Sequence, residues 1–296
     1  MNFLDEYDDF ELDEAISAFS ASKGWDIAVR YHDLKKRLGP EERRALRTVS
    51  VQAILRNAMA FLGSASKPKT TGLAFWPEIP VNAESVELDL EETISESPLL
   101  LRGRSAVVAR EAMVFRYQKE RRFPLIIALD TSLSMTGEKL ALTAVALAVV
   151  LLQFPDDPLG IIAFENRANV LKLPDEMAPL ERVIERFLDV PAQGYTDIEE
   201  ALKSALKFQS NLRKKQSRSP VTTLLLTDGK YTAGRDPAYL GKKFSHLIVL
   251  KLGEERAGAD LCNDLASAGG GFVRDVVELR TLPEAMVQVI HRVLRQ

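Results

Sequence analysis

Leu125-Ile126-Ile127-Ala128-Leu129-Asp130-Thr131-Ser132-Leu133-Ser134-Met135 decides how the rest of the chain is read. The five apolar residues after Pro124 have the composition of a strand buried on both faces, and the run stops at a carboxylate followed by two serines at alternate positions. Such a strand delivers hard oxygen donors to its own C-terminal end. That end is where open α/β sheets bind their ligands.

Downstream the same alternation of apolar strands and amphipathic helices continues. Strands are expected over 125–130, 159–164, 169–173, 221–227, 244–250 and 271–276. Helices are expected over 137–153, 178–188, 197–210, 237–241, 258–267 and 282–295. Buried strands alternating with helices predict an α/β fold with a doubly wound, mainly parallel sheet. Gly269-Gly270-Gly271 reads as a helix end and the turn before a strand rather than a phosphate loop.

Parallel strands place their C-terminal ends on one edge, so three separated segments can converge there. The first carries Asp130, Ser132 and Ser134; the second, Gly194-Tyr195-Thr196-Asp197, carries Thr196; the third, Thr227-Asp228-Gly229, carries Asp228. All the donors are oxygens, the set a hard divalent cation such as Mg²⁺ or Mn²⁺ prefers. Ser132 and Ser134 are placed to ligate directly, Asp130 and Asp228 directly or through water, with one position left open for a carboxylate from another molecule. Gly229 lets the backbone come close beside Asp228. The competing readings are that the two aspartates only cap helices while the serines brace loops, or that the site is complete but unused.

Catalytic readings find less support. Acyl transfer needs a base beside a serine, yet His246 falls in a strand and His291 in the last helix, and no Gly-x-Ser-x-Gly elbow is present. Phosphoryl transfer on an aspartate needs a second acid, which Asp130-Thr131-Ser132 lacks. A Gly-x-x-x-x-Gly-Lys-Ser/Thr loop is also absent, so the chain is not itself an ATPase. The expectation is a protein that is not an enzyme, with metal-dependent hydrolysis as the alternative.

Asp-Thr-Ser-Leu-Ser, Gly-Tyr-Thr-Asp and Thr-Asp-Gly, in this order and on these elements, resemble the metal-ion-dependent adhesion site (MIDAS) of von Willebrand factor A (VWA) domains. The resemblance covers roughly residues 123–296, and it departs from the family at Leu133, where a glycine is frequent. It implies a Rossmann-like fold, Mg²⁺ or Mn²⁺ held by Asp130, Ser132, Ser134, Thr196 and Asp228, and a partner protein offering Asp or Glu to the metal. The strand expected over 86–90 with Thr93 behind it, and a basic strand over 113–122 feeding the metal-binding strand, are similar to bacterial intracellular VWA proteins of the CoxE and magnesium-chelatase D type. That likeness implies an adaptor or co-chaperone working with a MoxR-type AAA+ ATPase.

Working toward the N-terminus, the chain divides into a helical region (1–62), a linker rich in Gly, Ser and Pro (63–85) and extra strands (86–122) ahead of the domain at 123–296. Trp25–Leu38 and Pro40–Leu62 form a helical hairpin broken at Gly39-Pro40. His32 stands alone and reads as an ordinary surface or core histidine. Residues 4–14 hold seven acids (Asp5, Glu6, Asp8, Asp9, Glu11, Asp13, Glu14) and no base, interleaved with Leu4, Tyr7, Phe10 and Leu12. They read as a solvated helix start, or as a docking segment for something basic. Residues 102–122 hold seven bases against two acids and read as the solvated protection of an exposed edge strand, or as a surface for an acidic partner.

The chain has 296 residues, 46% of them hydrophobic and 27% charged, with a formal net charge of −3, so no global field draws it to nucleic acid or anionic lipid. The run Arg213-Lys214-Lys215-Gln216-Ser217-Arg218 has no interleaved aromatic for base stacking and reads as a solvated loop. One cysteine, Cys262, excludes an internal disulfide, and the acidic start is unlike a secretory leader; a cytoplasmic location is expected. The longest apolar run, Ala144–Leu152, is far short of the ~20 residues of a membrane span and is expected to be a buried core helix.

Overall fold

A computed structural model describes residues 24–61, 69–81, 83–96, 110–120, 122–192, 194–215, 220–254 and 256–295. The acidic segment 4–14 and the bases at 102, 104 and 121 lie outside these residues. The chain divides into two compact units, one made of residues up to 64 together with 123–294, the other of 65–122.

The larger unit is built on a six-stranded sheet: β4 (Leu125–Asp130), β5 (Leu159–Phe164), β6 (Ala168–Lys172), β7 (Thr222–Thr227), β8 (His246–Leu252) and β9 (Val273–Val276), in the order β6-β5-β4-β7-β8-β9. Only the β5–β6 pair is antiparallel; β4 lies in the middle, paired in parallel with β5 and β7. Its alternation is the reason for both cores. Leu125, Ile127 and Leu129 point into one apolar cluster, while Ile126 and Ala128 point into the other.

On the first face lie α4 (Glu138–Gln153), α5 (Leu180–Leu188) and α8 (Leu282–Leu294), and against them α1 (Gly24–Leu34) and α2 (Pro40–Phe61). This extra layer explains why Leu140 to Leu151 are buried all round: α4 has sheet on one side and helices on the other. On the second face lie α6 (Ile198–Lys215), a 3₁₀ segment (Pro237–Lys243) and α7 (Ala259–Ala268). No helix among the described residues is long and apolar enough to cross a membrane.

Several boundaries differ from the sequence reading. Helix α6 runs to Lys215 instead of ending at Ser210, because Leu212, 1% exposed, continues the buried series of Ile198, Leu202, Ala205 and Phe208. Arg213 and Lys214 therefore belong to its last turn, not to a loop. Strand β8 starts at His246, because Pro237–Lys243 is a longer 3₁₀ segment than the short helix expected there.

The smaller unit holds β1 (Lys69–Phe75), β2 (Ser85–Leu88), α3 (Leu90–Glu96) and β3 (Val114–Glu120). Its sheet has the order β1-β3-β2, fully antiparallel. Two expectations are corrected. Residues 69–75, which composition placed in the linker, form a strand: Thr70, Thr71, Leu73 and Phe75 suit a pleated surface even between Gly and Pro. The basic strand is central, not an edge; its Arg116 meets Asp89 at 2.6 Å instead of guarding a free edge. Asp89 also accepts from the Glu92 backbone N–H at 3.1 Å, capping α3.

Within the larger unit the helical hairpin is pinned to the end of α5. Lys35 Nζ donates to the carbonyls of Leu188 (2.8 Å) and Val190 (2.6 Å), while Tyr31 Oη and Arg47 both donate to the Asp189 carboxylate. Burial holds the Lys35 ammonium down at about 8. His32 is 3% exposed and neither ring nitrogen completes a hydrogen bond. Burial, then Lys35 and Lys36, outweigh Asp33 and the Pro191 carbonyl and lower it to about 4.

The sign follows. Between the unfolded value of 6.5 and about 4 the unfolded chain binds the proton that the folded ring refuses, so stability is lost as pH falls through that window. Urea unfolding at pH 7 and pH 4.5 should show the wild type losing about 2 kcal/mol more than His32→Leu. Equal losses in the two proteins would mean that His32 is charged in the native state.

Candidate functional site

Three loops meet at the C-terminal edge of β4 and β7. Asp130, the last residue of β4, has no solvent exposure. One carboxylate oxygen accepts from the Ser132 backbone N–H at 3.0 Å, the other from Thr227 Oγ1 at 2.7 Å. Thr227 Oγ1 in turn accepts from the Gly229 N–H at 3.1 Å. The end of β7 is thus tied to the end of β4 through one buried hydroxyl. Burial, with a smaller push from Asp228, raises Asp130 to about 6.

Ser132 precedes and Ser134 lies within a short 3₁₀ turn over Leu133–Met135, and their hydroxyl oxygens lie 3.2 Å apart. Ser134 Oγ donates to Asp228 Oδ2 at 3.4 Å, and Asp228 Oδ1 accepts from the Lys230 N–H at 3.0 Å. The third loop is attached by backbone: Leu133 N–H donates to the Gly194 carbonyl at 3.4 Å, and Thr232 and Ala233 N–H both donate to the Thr196 carbonyl. Glu165, just after β5, accepts from the Gly194 N–H at 2.8 Å, and Asp197 caps the first turn of α6 through the Glu200 N–H. Asp130, Ser132, Ser134, Thr196 and Asp228 therefore occupy three mutually bonded loops at one edge.

Leu133, where the sequence departs from the family, is 64% exposed and leaves the oxygen donors on either side of it in place. Sequence reasoning missed three participants. Thr227 carries the hydrogen bonds between the strand ends, Glu165 fixes Gly194, and Gly258 receives Gly229. A carbon added at Gly229 (φ +79°) would lie 2.6 Å from the Gly258 carbonyl oxygen. Thr227 was legible as a polar residue ending an apolar strand; Gly258, 29 residues further on, gave no local signal.

Among the described residues no group of three or more His, Cys, Asp or Glu is arranged to hold a metal ion. This edge contributes two carboxylates and three hydroxyls. Adjacent ligands of an octahedral Mg²⁺ at 2.0–2.1 Å are about 3 Å apart. The Ser132–Ser134 and Ser134–Asp228 oxygen separations of 3.2 and 3.4 Å are close to that spacing, so three of the five oxygen donors, hard ones of the kind Mg²⁺ prefers, lie at a compatible pitch.

Sheet order and flanking helices define a Rossmann-like fold of the von Willebrand factor A type. The von Willebrand factor type A domain family matches residues 125–230. Among solved structures, the BatB protein of Bacteroides thetaiotaomicron, described as a conserved hypothetical protein, is 20% identical, over 59% of this chain and 100% of that one (TM-score 0.46). Proximal thread matrix protein 1 from the mussel byssus, with a zinc-occupied MIDAS motif, is 18% identical over 57% of this chain and 47% of its own (TM-score 0.50). A von Willebrand factor type A protein from Catenulispora acidiphila is 17% identical over 79% of this chain and 52% of its own (TM-score 0.49). At these identities the likeness concerns the fold.

Proposed function

We propose that this chain is a protein-interaction module that catalyses no covalent reaction and receives its partner at the joined loops of Ser132–Ser134, Gly194–Thr196 and Asp228–Thr232. The observation that carries the reading is the junction itself. Three loops bonded to one another form a preorganised edge, and each presents an exposed large side chain to a partner: Leu133, Tyr195 and Tyr231.

The finer proposal is that the edge works with a divalent cation held by Asp130, Ser132, Ser134, Thr196 and Asp228. A bound Mg²⁺ or Mn²⁺ supplies an electrophilic position for a partner's Asp or Glu; the chain's own residues fix the donors and exclude water beneath them. The metal-free reading is a VWA-fold scaffold. Its supporting observations are that both Asp130 oxygens already accept hydrogen bonds and that the described residues form no cluster of three His, Cys, Asp or Glu.

Calorimetric titration with Mg²⁺, Mn²⁺ and Zn²⁺ separates the two; zinc is included because the mussel protein's MIDAS holds it. Asp228→Ala is the informative variant, since Asp228 is partly exposed and its removal leaves the buried Asp130–Thr227 pair in place. Binding by the wild type and at least about tenfold weaker binding by Asp228→Ala is the expected result. Indistinguishable heats leave the scaffold.

The partnership with a MoxR-type AAA+ ATPase, and with it a cytoplasmic adaptor or co-chaperone role, rests on the resemblance of the chain to CoxE and chelatase D proteins. It is tested by co-purification with an ATPase encoded beside this chain, with and without chelator. Recovery of no ATPase in either condition removes this part of the proposal and leaves the interaction module.

A further inference from the structure

We infer that the chain's own acidic segment, Leu4-Asp5-Glu6-Tyr7-Asp8-Asp9-Phe10-Glu11-Leu12-Asp13-Glu14, is an internal occupant of the candidate site and competes there with outside partners. The inference rests on the cation reading above and deepens it by naming a first ligand.

The surface comes first. Leu133 is 64%, Tyr195 68% and Tyr231 42% exposed, and each lies within three residues of a proposed oxygen ligand on its own loop. Leu133 stands between the two serines, Tyr195 precedes Thr196, and Tyr231 follows Asp228 by three. The edge therefore offers a polar centre with an apolar and aromatic rim, the pattern of a desolvated anchor site with an acid-binding core. Its fitting occupant has a carboxylate flanked within one or two residues by large apolar side chains. Residues 4–14 repeat that pattern: Glu6-Tyr7-Asp8 and Asp9-Phe10-Glu11-Leu12 set acids directly against aromatic and aliphatic residues.

Reach decides whether the segment can arrive. Helix α1 begins at Gly24, and Trp25 lines one open cavity with Phe61, Glu138 and Arg280. Glu138 is the first residue of α4, four residues beyond Ser134 and therefore within about 14 Å of it along the chain. The chain thus joins the described fold at the site's own edge of the sheet. The nine residues between Glu14 and Gly24, ten Cα–Cα steps in all, can span up to about 33 Å, more than the separation of Glu138 from Ser134.

A rival landing place exists. Lys203, Lys207, Arg213, Lys214 and Lys243 line a basic groove along α6. It lies on the other face of the sheet, and its Arg213–Lys214 end is most of an 18-residue helix, about 27 Å, from the candidate edge. Lys203 there is already paired with Glu199 at 2.9 Å. Charge favours this groove, while position and the apolar half of the segment favour the edge.

The experiment uses the full chain and a fluorescently labelled peptide of residues 4–14, read by anisotropy in Mg²⁺. In a second full-length protein the seven acids of the segment are changed to Asn or Gln, which removes the internal competitor. A tethered segment acts at millimolar effective concentration, so the neutralised chain should bind the free peptide at least about tenfold more tightly than the wild type. In the neutralised background, Leu133→Ala and Tyr195→Ala should each weaken the peptide by about tenfold.

Equal peptide binding by the two full-length proteins overturns the inference. So does absence of binding in both while the Mg²⁺ titration still gives heat; the cation reading then survives alone. Peptide binding that persists in chelator keeps the docking and removes the cation. Release by Lys207→Gln with Lys214→Gln instead of by the rim variants assigns the segment to the basic groove and overturns the inference. A wild-type dimer in sedimentation that the neutralised chain does not form makes the occupant a second copy, which overturns the internal form.

Discussion

Gly229→Ala is expected to cost roughly 2–5 kcal/mol of stability and to abolish cation-dependent binding at the candidate edge. Two costs add. Gly229 sits at φ +79°, where an L side chain loses about 1–2 kcal/mol. The added methyl would also lie 2.6 Å from the Gly258 carbonyl oxygen and 2.7 Å from Cys262 Sγ, and forcing atoms into a closed space of this kind costs typically 1–3 kcal/mol. Neither neighbour gives easily: Gly258 has φ +88° with its own backbone against Gly229, and Cys262 is fully buried. Gly229 N–H also donates to Thr227 Oγ1, so a shifted backbone disturbs the hydroxyl that holds Asp130 and the position of Asp228.

The control is Gly137→Ala. Gly137 also has a positive φ (+69°, with ψ −131°, a region nearly confined to glycine), but nothing lies within 4 Å of the added carbon, so only the backbone cost of about 1–3 kcal/mol applies. Thermal unfolding of the three proteins reads the contrast. Equal loss in the two variants would show that the closeness of Gly229 to Gly258 carries no energy.

These two glycines also show what could be read from the chain before its structure. A glycine beside Asp228 announces that something approaches, because its position follows a strand end. What approaches is Gly258, which comes from a segment whose own sequence describes only a helix start. The same division holds elsewhere. The placing of Asp130, Ser132 and Ser134 at one sheet edge was legible because a buried apolar strand ends there in oxygens, and convergence with the loops of Thr196 and Asp228 followed from parallel topology.

The smaller sheet was less legible. Residues 69–75 contain Lys69, Thr70, Thr71 and Gly72 and show little alternation, and the strand is exposed along most of its length, so no buried face imprints a period on it. Its pairing with β3 supplies what the pattern lacks. The central place of β3 was hidden for the same reason: charge on a strand says that side chains are solvated, not that the backbone edge is free. By contrast Ala144–Leu152 showed burial plainly, and the helical hairpin that covers it supplies the reason.

Asp130→Asn is expected to stabilise the protein in chelator and to reverse that order in excess Mg²⁺. Asp130 is raised to about 6 from an ordinary 3.8, because burial outweighs the hydrogen bonds from Ser132 and Thr227 and because Asp228 is close. For an acid raised on folding, the folded chain holds the proton more tightly, so stability falls as pH rises from 3.8 through 6. At pH 7 the ionised group opposes folding by up to about 3 kcal/mol. An amide of the same shape removes that charge. It keeps an oxygen for the Ser132 N–H and turns the Thr227 hydroxyl from donor to acceptor, with a net gain of about 2 kcal/mol in urea unfolding. A cation changes the sign, since it stabilises only the folded wild type, by RT ln(1 + [L]/Kd), and finds one ligand missing in the variant. A carboxylate that merely caps a loop behaves oppositely: its replacement by Asn is neutral or destabilising with or without Mg²⁺. A variant less stable than the wild type in chelator would therefore make Asp130 a structural residue of the β4–β7 junction, and a crossing of the two curves on adding Mg²⁺ would show a site that gives up folding energy to hold charge.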